Sequence, residues 1–188
     1  MVASRFSHLP RLAAGFVLLS SLVACSPQYN WREVHSDVAP FAVALPARPS
    51  SFSREVGVDG IHVPMTMLAS EVGQTTFAVA TAELPSAQQA QAALATMKTA
   101  MVRNIGGTVR QEKVLTIARS VQADAGRVAV IEIEAVGPGD KATDGQARVL
   151  FARFVARDRR VFQLLATGRE SALRRDLADS FFASFKLD

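Results

Sequence analysis

A few short stretches carry residue types that could do chemistry, and His62-Val63-Pro64-Met65-Thr66-Met67 is the sharpest. Thioether sulfur and imidazole are ligands for Cu(I), and soft sulfur selects that ion over harder ones. On an extended segment Met65 and Met67 share one face, with α-carbons about 6.6 Å apart. His62 points to the opposite face unless a bulge at Pro64 resets the register. Val63, Met65, Met67 and Ala69 also make an ordinary apolar stripe, and methionine fills irregular core space well. Core methionines are the favoured reading. A Cu(I) carrier using His62, Met65 and Met67 stands as its alternative.

The other constellations are weaker. His35-Ser36-Asp37 places three triad residue types side by side, but a working triad assembles them from separate elements, and neighbours in an extended segment point opposite ways. No Gly-x-Ser-x-Gly elbow is present. Surface polar residues fit better. Glu132 and Glu134 share a strand face and offer a carboxylate pair for acid–base work. If the loop from Gly137 to Gly145 closes symmetrically, Glu134 falls opposite Arg148 as a structural pair worth about 0.2–1 kcal/mol. Asp140 and Asp144 lack the spacing and ligand number of a calcium loop. Arg153, Arg157, Arg159, Arg160, Arg169, Arg174 and Arg175 form the most basic region, with Phe154 and Phe162 interleaved. Anionic headgroups or an acidic partner would suit it, but Asp158, Glu170, Asp176 and Asp179 dilute the field, so a solvated face is favoured.

The single cysteine has the most informative context. Arg5, His8 and Arg11 precede an apolar run from Leu12 to Val23. At about 12 residues it is too short to span a bilayer and reads as an export leader. Leu22-Val23-Ala24-Cys25 resembles the bacterial lipobox. That resemblance implies cleavage after Ala24, a diacylglyceryl group on the Cys25 thiol and a further acyl chain on the new amino terminus. One acyl chain holds only marginally, whereas two or more anchor stably. Ser26 stands where an inner-membrane retention signal would place Asp, which points to the outer membrane by the enterobacterial rule.

Totals narrow the rest. Removing residues 1–24 from 188 leaves 164, a length that fits one domain at 31–188. A domain near this size buries roughly 70% of its unfolded surface and needs no metal or disulfide to be stable. Taking Arg5 and Arg11 from the 21 basic side chains leaves 19 against 17 acidic ones, so the exported chain is only slightly basic. Nucleic acid is a poor partner for it. Residues 25–30 make a lipidated cysteine and short linker. Six residues from Cys25 to Trp31 reach about 20 Å at most, so the domain rides close to the bilayer. Trp31 is expected to dock onto the core, with a headgroup position for Tyr29 and Trp31 as the alternative.

These candidates need elements to hold them. Phe41 to Leu45, Ser53 to Val58, Ile61 to Glu71 and Thr75 to Ala82 read as strands, with a hairpin turn at Asp59-Gly60. Pro64 marks an edge or a bulge. Ser86-Ala87-Gln88-Gln89 matches a capping box. Ala90, Leu94, Met97, Met101 and Ile105 give the helix one apolar face, and Gly106-Gly107 ends it. That glycine pair closes a helix and does not open one, so it cradles no phosphate. Strands are predicted at Thr108 to Ala118, Arg127 to Val136, Gln146 to Arg157 and Arg160 to Thr167. Ser171 is expected to cap a last helix carrying Leu173, Leu177 and Phe181.

Helices between and after blocks of antiparallel strands predict an α/β fold with helices packed on an antiparallel sheet. Phe41-Ala42-Val43-Ala44-Leu45-Pro46, the helix ending at Gly106-Gly107, Arg160-Val161-Phe162-Gln163-Leu164 and Phe181-Phe182-Ala183-Ser184-Phe185 resemble the PsbP-like superfamily over residues 31–188. That superfamily includes photosystem accessory proteins and bacterial envelope lipoproteins of the DcrB type. The resemblance implies an α/β/α sandwich and an accessory role without catalysis or cofactor, and it carries over no functional residue. The expected function is a non-enzymatic binding module, membrane-bound through lipid on Cys25, for an envelope protein or lipid headgroup. The expected place is the outer membrane, facing the periplasm. An envelope hydrolase is the alternative from another class.

Overall fold

The computed structural model describes residues 29–118 and 127–187. The expected leader, Cys25 and the first residues of the linker lie outside these. The chain runs β1 (Arg32–His35), β2 (Phe41–Leu45), β3 (Ser50–Val58), β4 (Ile61–Val72), β5 (Thr75–Glu83), α1 (Ala87–Asn104), β6 (Thr108–Ala118), β7 (Arg127–Gly137), β8 (Arg148–Arg157), β9 (Arg160–Arg169), α2 (Arg175–Ala183) and β10 (Lys186–Leu187). Seven strands make one antiparallel sheet in the order β3-β4-β5-β9-β8-β7-β6, and β1-β2-β10 make a second, three-stranded sheet.

Period-two alternation gives the large sheet two apolar faces. One face carries Ala78, Ala80, Ala82, Ile133, Leu150, Ala152 and Phe154, and it packs against Ala90, Ala93, Leu94 and Met97 of α1. Alanines on both surfaces let helix and sheet approach closely. The opposite face carries Phe77, Val79, Phe151, Val155, Phe162 and Leu164 beneath α2 and the small sheet. Phe41, Phe77, Phe154, Phe162 and Phe181 are almost wholly buried, and each such side chain contributes about 1.5–3 kcal/mol. The expected antiparallel sheet with helices packed on it is what the chain forms. The third layer, however, is α2 together with a small sheet.

Local chemistry sets the ends of α1. The Ser86 hydroxyl accepts from Gln89 N–H at 3.2 Å and donates to Gln89 Oε1 at 3.1 Å. The Gln89 side chain therefore bonds the hydroxyl, not the Ser86 N–H that a reciprocal capping box would use. Ser86→Ala is expected to cost about 1 kcal/mol, read as a lower denaturant midpoint at unchanged slope. At the far end Gly106 takes φ 57°. Gly106 N–H donates to Arg103 O at 2.9 Å and Gly107 N–H to Val102 O at 3.0 Å, the paired bonds of a Schellman stop.

Other expectations change. Pro64 is neither in an edge strand nor at a bulge: β4 is internal, and its pairing with β3 is unbroken from Ser50↔Ala69 to Val58↔Ile61. Pairing with β5 begins only at Met65↔Ala82. Pro64 therefore sits just beyond that ladder, where the missing N–H costs nothing on the β5 side. Ser171 does not cap α2. Its hydroxyl donates to Gln146 Oε1 at 2.7 Å, while α2 starts after Arg174 with no side-chain cap. The turn through Ala172 and Leu173, closed on Arg169 O, uses up the residues that were expected to form the first helical turn.

Candidate functional site

Beneath α2 lies a buried carboxylate. Glu132 is 3% exposed and faces the third layer from β7. Its cross-strand neighbour is Arg153, whose Nε donates to Glu132 Oε2 at 2.5 Å. Arg175 of α2 donates to the other oxygen, Oε1. Arg175 also approaches Glu134 Oε2 at 3.5 Å and Asp179 Oδ1 at 2.9 Å. Both guanidinium groups lie over aromatic rings, Arg153 4.6 Å from the centre of Phe182 and Arg175 5.2 Å from that of Phe151. Burial alone raises the Glu132 carboxyl. The Arg153 hydrogen bond and the charges of Arg153 and Arg175 outweigh it and hold the group below its ordinary 4.5.

A general base needs a free lone pair within reach of substrate. Glu132 has given both oxygens to arginine, so the arrangement fastens α2 to the sheet. The expected Glu134–Arg148 pair does not form. The β7–β8 connection closes as Gly137↔Arg148, which puts Glu134 opposite Phe151. The loop is not symmetric because residues 141–143 coil into a short 3-10 turn capped by Asp140. Asp140 then meets Arg148 at 2.8 Å and Asp144 meets Arg169 at 3.2 Å. Asp140 and Asp144 thus neutralise two arginines that face each other across β8 and β9 and do not form a calcium loop.

The basic region is matched in the same way. Arg159 and Arg160 both bond Glu83, and Arg174 pairs with Asp176 at 2.8 Å. Arg157 lies 3.9 Å from Asp158. Phe154 and Phe162 are buried and do not interleave with these cations at the surface. His35 is exposed beside Glu33, while the Ser36 hydroxyl accepts from Val38 and Ala39 N–H at 3.3 Å each. Ser36 thus shapes the β1–β2 turn and has no bond to His35 or Asp37. Met65 is buried and Met67 half-buried in the α1 core. With the β3–β4 register unbroken, exposed His62 stays on the opposite face. Sequence reasoning missed Arg153 and Arg175 as partners of Glu132. A strand register centred between residues 142 and 143 would have found Arg153, but nothing local points to Arg175.

No family model and no curated sequence matches the chain. Among solved structures, the solution structure of cyanobacterial PsbP (CyanoP) from Synechocystis sp. PCC 6803 superposes with a TM-score of 0.51 at 13% identity, covering 90% of this chain and 99% of that one. The fold is PsbP-like. A crystal structure of a Pseudomonas aeruginosa protein of unknown function gives a TM-score of 0.37 at 13% identity over 81% of this chain and 92% of that one, too distant to carry an argument. On this PsbP-like frame the clefts among the described residues include two surface grooves. One of about 440 Å³ lies between α1 and β6, lined by Lys98, Val102, Gly106 and Val109. Another of about 200 Å³ lies at the β8–β9 turn, lined by Pro40, Glu83, Arg157 and Arg160. No described helix is long and apolar enough to cross a membrane.

Proposed function

We propose that this chain is a lipid-anchored bacterial envelope protein of the DcrB type, held by Cys25 in the outer membrane and facing the periplasm. Its PsbP-like domain, residues 31–188, serves as a non-enzymatic accessory or binding module for another envelope component. The lipobox-like Leu22-Val23-Ala24-Cys25 supports the anchor. The observation that carries the binding role is the saturation of Glu132: the buried carboxylate best placed for chemistry is occupied by Arg153 and Arg175.

Photo-crosslinkers placed singly at exposed positions in living cells, followed by mass spectrometry, test this reading. The expected result is repeated adducts to one envelope component from positions on one face, and none from the opposite face. Background labelling at every position, or turnover of ester or peptide substrates by the purified protein, would overturn it.

A further inference from the structure

The chain enters the fold at one end of the large sheet. Asn30 N–H donates to Pro46 O at 2.9 Å, and Trp31 packs edge-on against Phe77 with ring centres 5.4 Å apart. Phe77 stands beside the turn between Val72 and Thr75, where Thr75 pairs with Gly168 and Gly137 with Arg148. The C-terminus of α1 reaches the same end, since a Cβ on Gly106 would lie 3.7 Å from Pro138. The entrance, the 73–74 turn, the 138–147 loop and the end of α1 thus form one surface.

Arg32, Arg48, Arg103 and Lys141 are exposed on that surface, and none is among the cations bound to carboxylates in the described residues. Glu71 is the exposed carboxylate there without a cation. The opposite end, with its turns at 59–60 and 158–159, differs. Its Arg157, Arg159 and Arg160 are matched by Asp158 and Glu83, and Asp37 is exposed with no basic partner among the described residues. Arg54 and Lys113, which have no carboxylate partner among the described residues, lie along the edge strands β3 and β6. Among the described residues the charge is therefore polarised along the strands, positive where the chain enters.

We propose that this positive end is a membrane-contact surface for anionic phospholipid headgroups. The proposal rests on the tether reading for its geometry: Cys25 lies four residues before Tyr29, a span of about 14 Å at full extension. Surface potentials fall off over about 8 Å at physiological ionic strength, so only the end held near the bilayer feels them. Each Lys or Arg so placed strengthens adsorption about fivefold. Orientation and charge then act together: the anchor brings this end to the bilayer, and its cations hold it there.

Cys25 is the sole cysteine, and its thiol is blocked once lipidated, so an introduced cysteine accepts a fluorophore selectively. Asn104→Cys places the probe at the positive end and Asp37→Cys at the other. The full lipidated protein is reconstituted in phosphatidylcholine vesicles with or without phosphatidylglycerol, carrying a headgroup quencher. The expected result is strong quenching at position 104 and little at 37, with the contrast greatest on anionic vesicles. A variant with Arg32, Arg48, Arg103 and Lys141 all changed to Gln should lose that anionic enhancement. Equal quenching at both positions, or a contrast indifferent to lipid charge, in protein shown by mass to be lipidated would overturn the proposal. An unmodified Cys25 by mass defeats the tether reading instead. The surface is then judged by cosedimentation of that chain: preference for anionic vesicles, weakened more than about tenfold in the quadruple variant, supports it, and indifference to charge overturns it.

Discussion

Cys25→Ser is expected to abolish lipid attachment and leave an uncleaved precursor, the largest single effect available in this chain. The reasoning is chemical. Serine has no thiol to carry the diacylglyceryl group, and the lipobox resemblance makes lipidation the step before cleavage after Ala24. Each buried methylene contributes about 0.8 kcal/mol, so losing several acyl chains removes far more than any surface charge could restore. The apolar run from Leu12 to Val23 is too short to substitute as a spanning helix. Mass spectrometry of the wild type should show the lipid on a chain starting at Cys25, and the variant should keep its leader. A Cys25→Ser product cleaved after Ala24 and still firmly membrane-bound would refute the anchor.

Breaking the Glu132 cluster should have the largest effect on stability. Arg153→Ala removes one partner of a carboxylate that is 3% exposed and is expected to cost about 3–5 kcal/mol. Arg175→Ala should cost less, because Arg175 is one-third exposed and Arg153 stays in place. The pair of changes should be non-additive, since both act on the same carboxylate. Replacing Glu132, Arg153 and Arg175 together by apolar residues of similar volume should recover much of the loss, because no buried charge is then left unpaired. Chemical unfolding followed by circular dichroism and by Trp31 fluorescence measures all of these. Coincident transitions from the two probes would also show residues 31–188 unfolding as one unit.

The cluster predicts a pH response as well. In the folded protein the Glu132 carboxyl titrates below 4.5, so the unfolded chain takes up the proton first on acidification. Its stabilisation is complete above the unfolded value and disappears as pH falls through the lower folded value. Glu132→Gln should therefore flatten the acid limb of stability against pH. An unchanged acid limb would mean that other carboxylates control it.

What was readable in the residues is what local physics governs. Asp59-Gly60 makes the β3–β4 turn because both positions take positive φ, 46° and 81°, which Asp and Gly tolerate best. Ser86 and Gly106 bound α1 through bonds that span only a few residues. β5 to β9 were readable because each is a long β-rich run bounded by turn residues. The three-dimensional arrangement decided the rest. β1 and β10, at four and two residues, are too short to carry a period and exist because β2 offers them a ladder. The 3-10 turn at 141–143 moved the β7–β8 register, and with it the partners that β8 offers Glu132 and Glu134. Arg175 reaches Glu132 from 43 residues away, and the cations gathered at the positive end come from β1, the β2–β3 connection, α1 and the 3-10 turn. Residue types announce which charges a chain carries. Which of them find a partner depends on register and packing, and these follow from contacts distant in sequence.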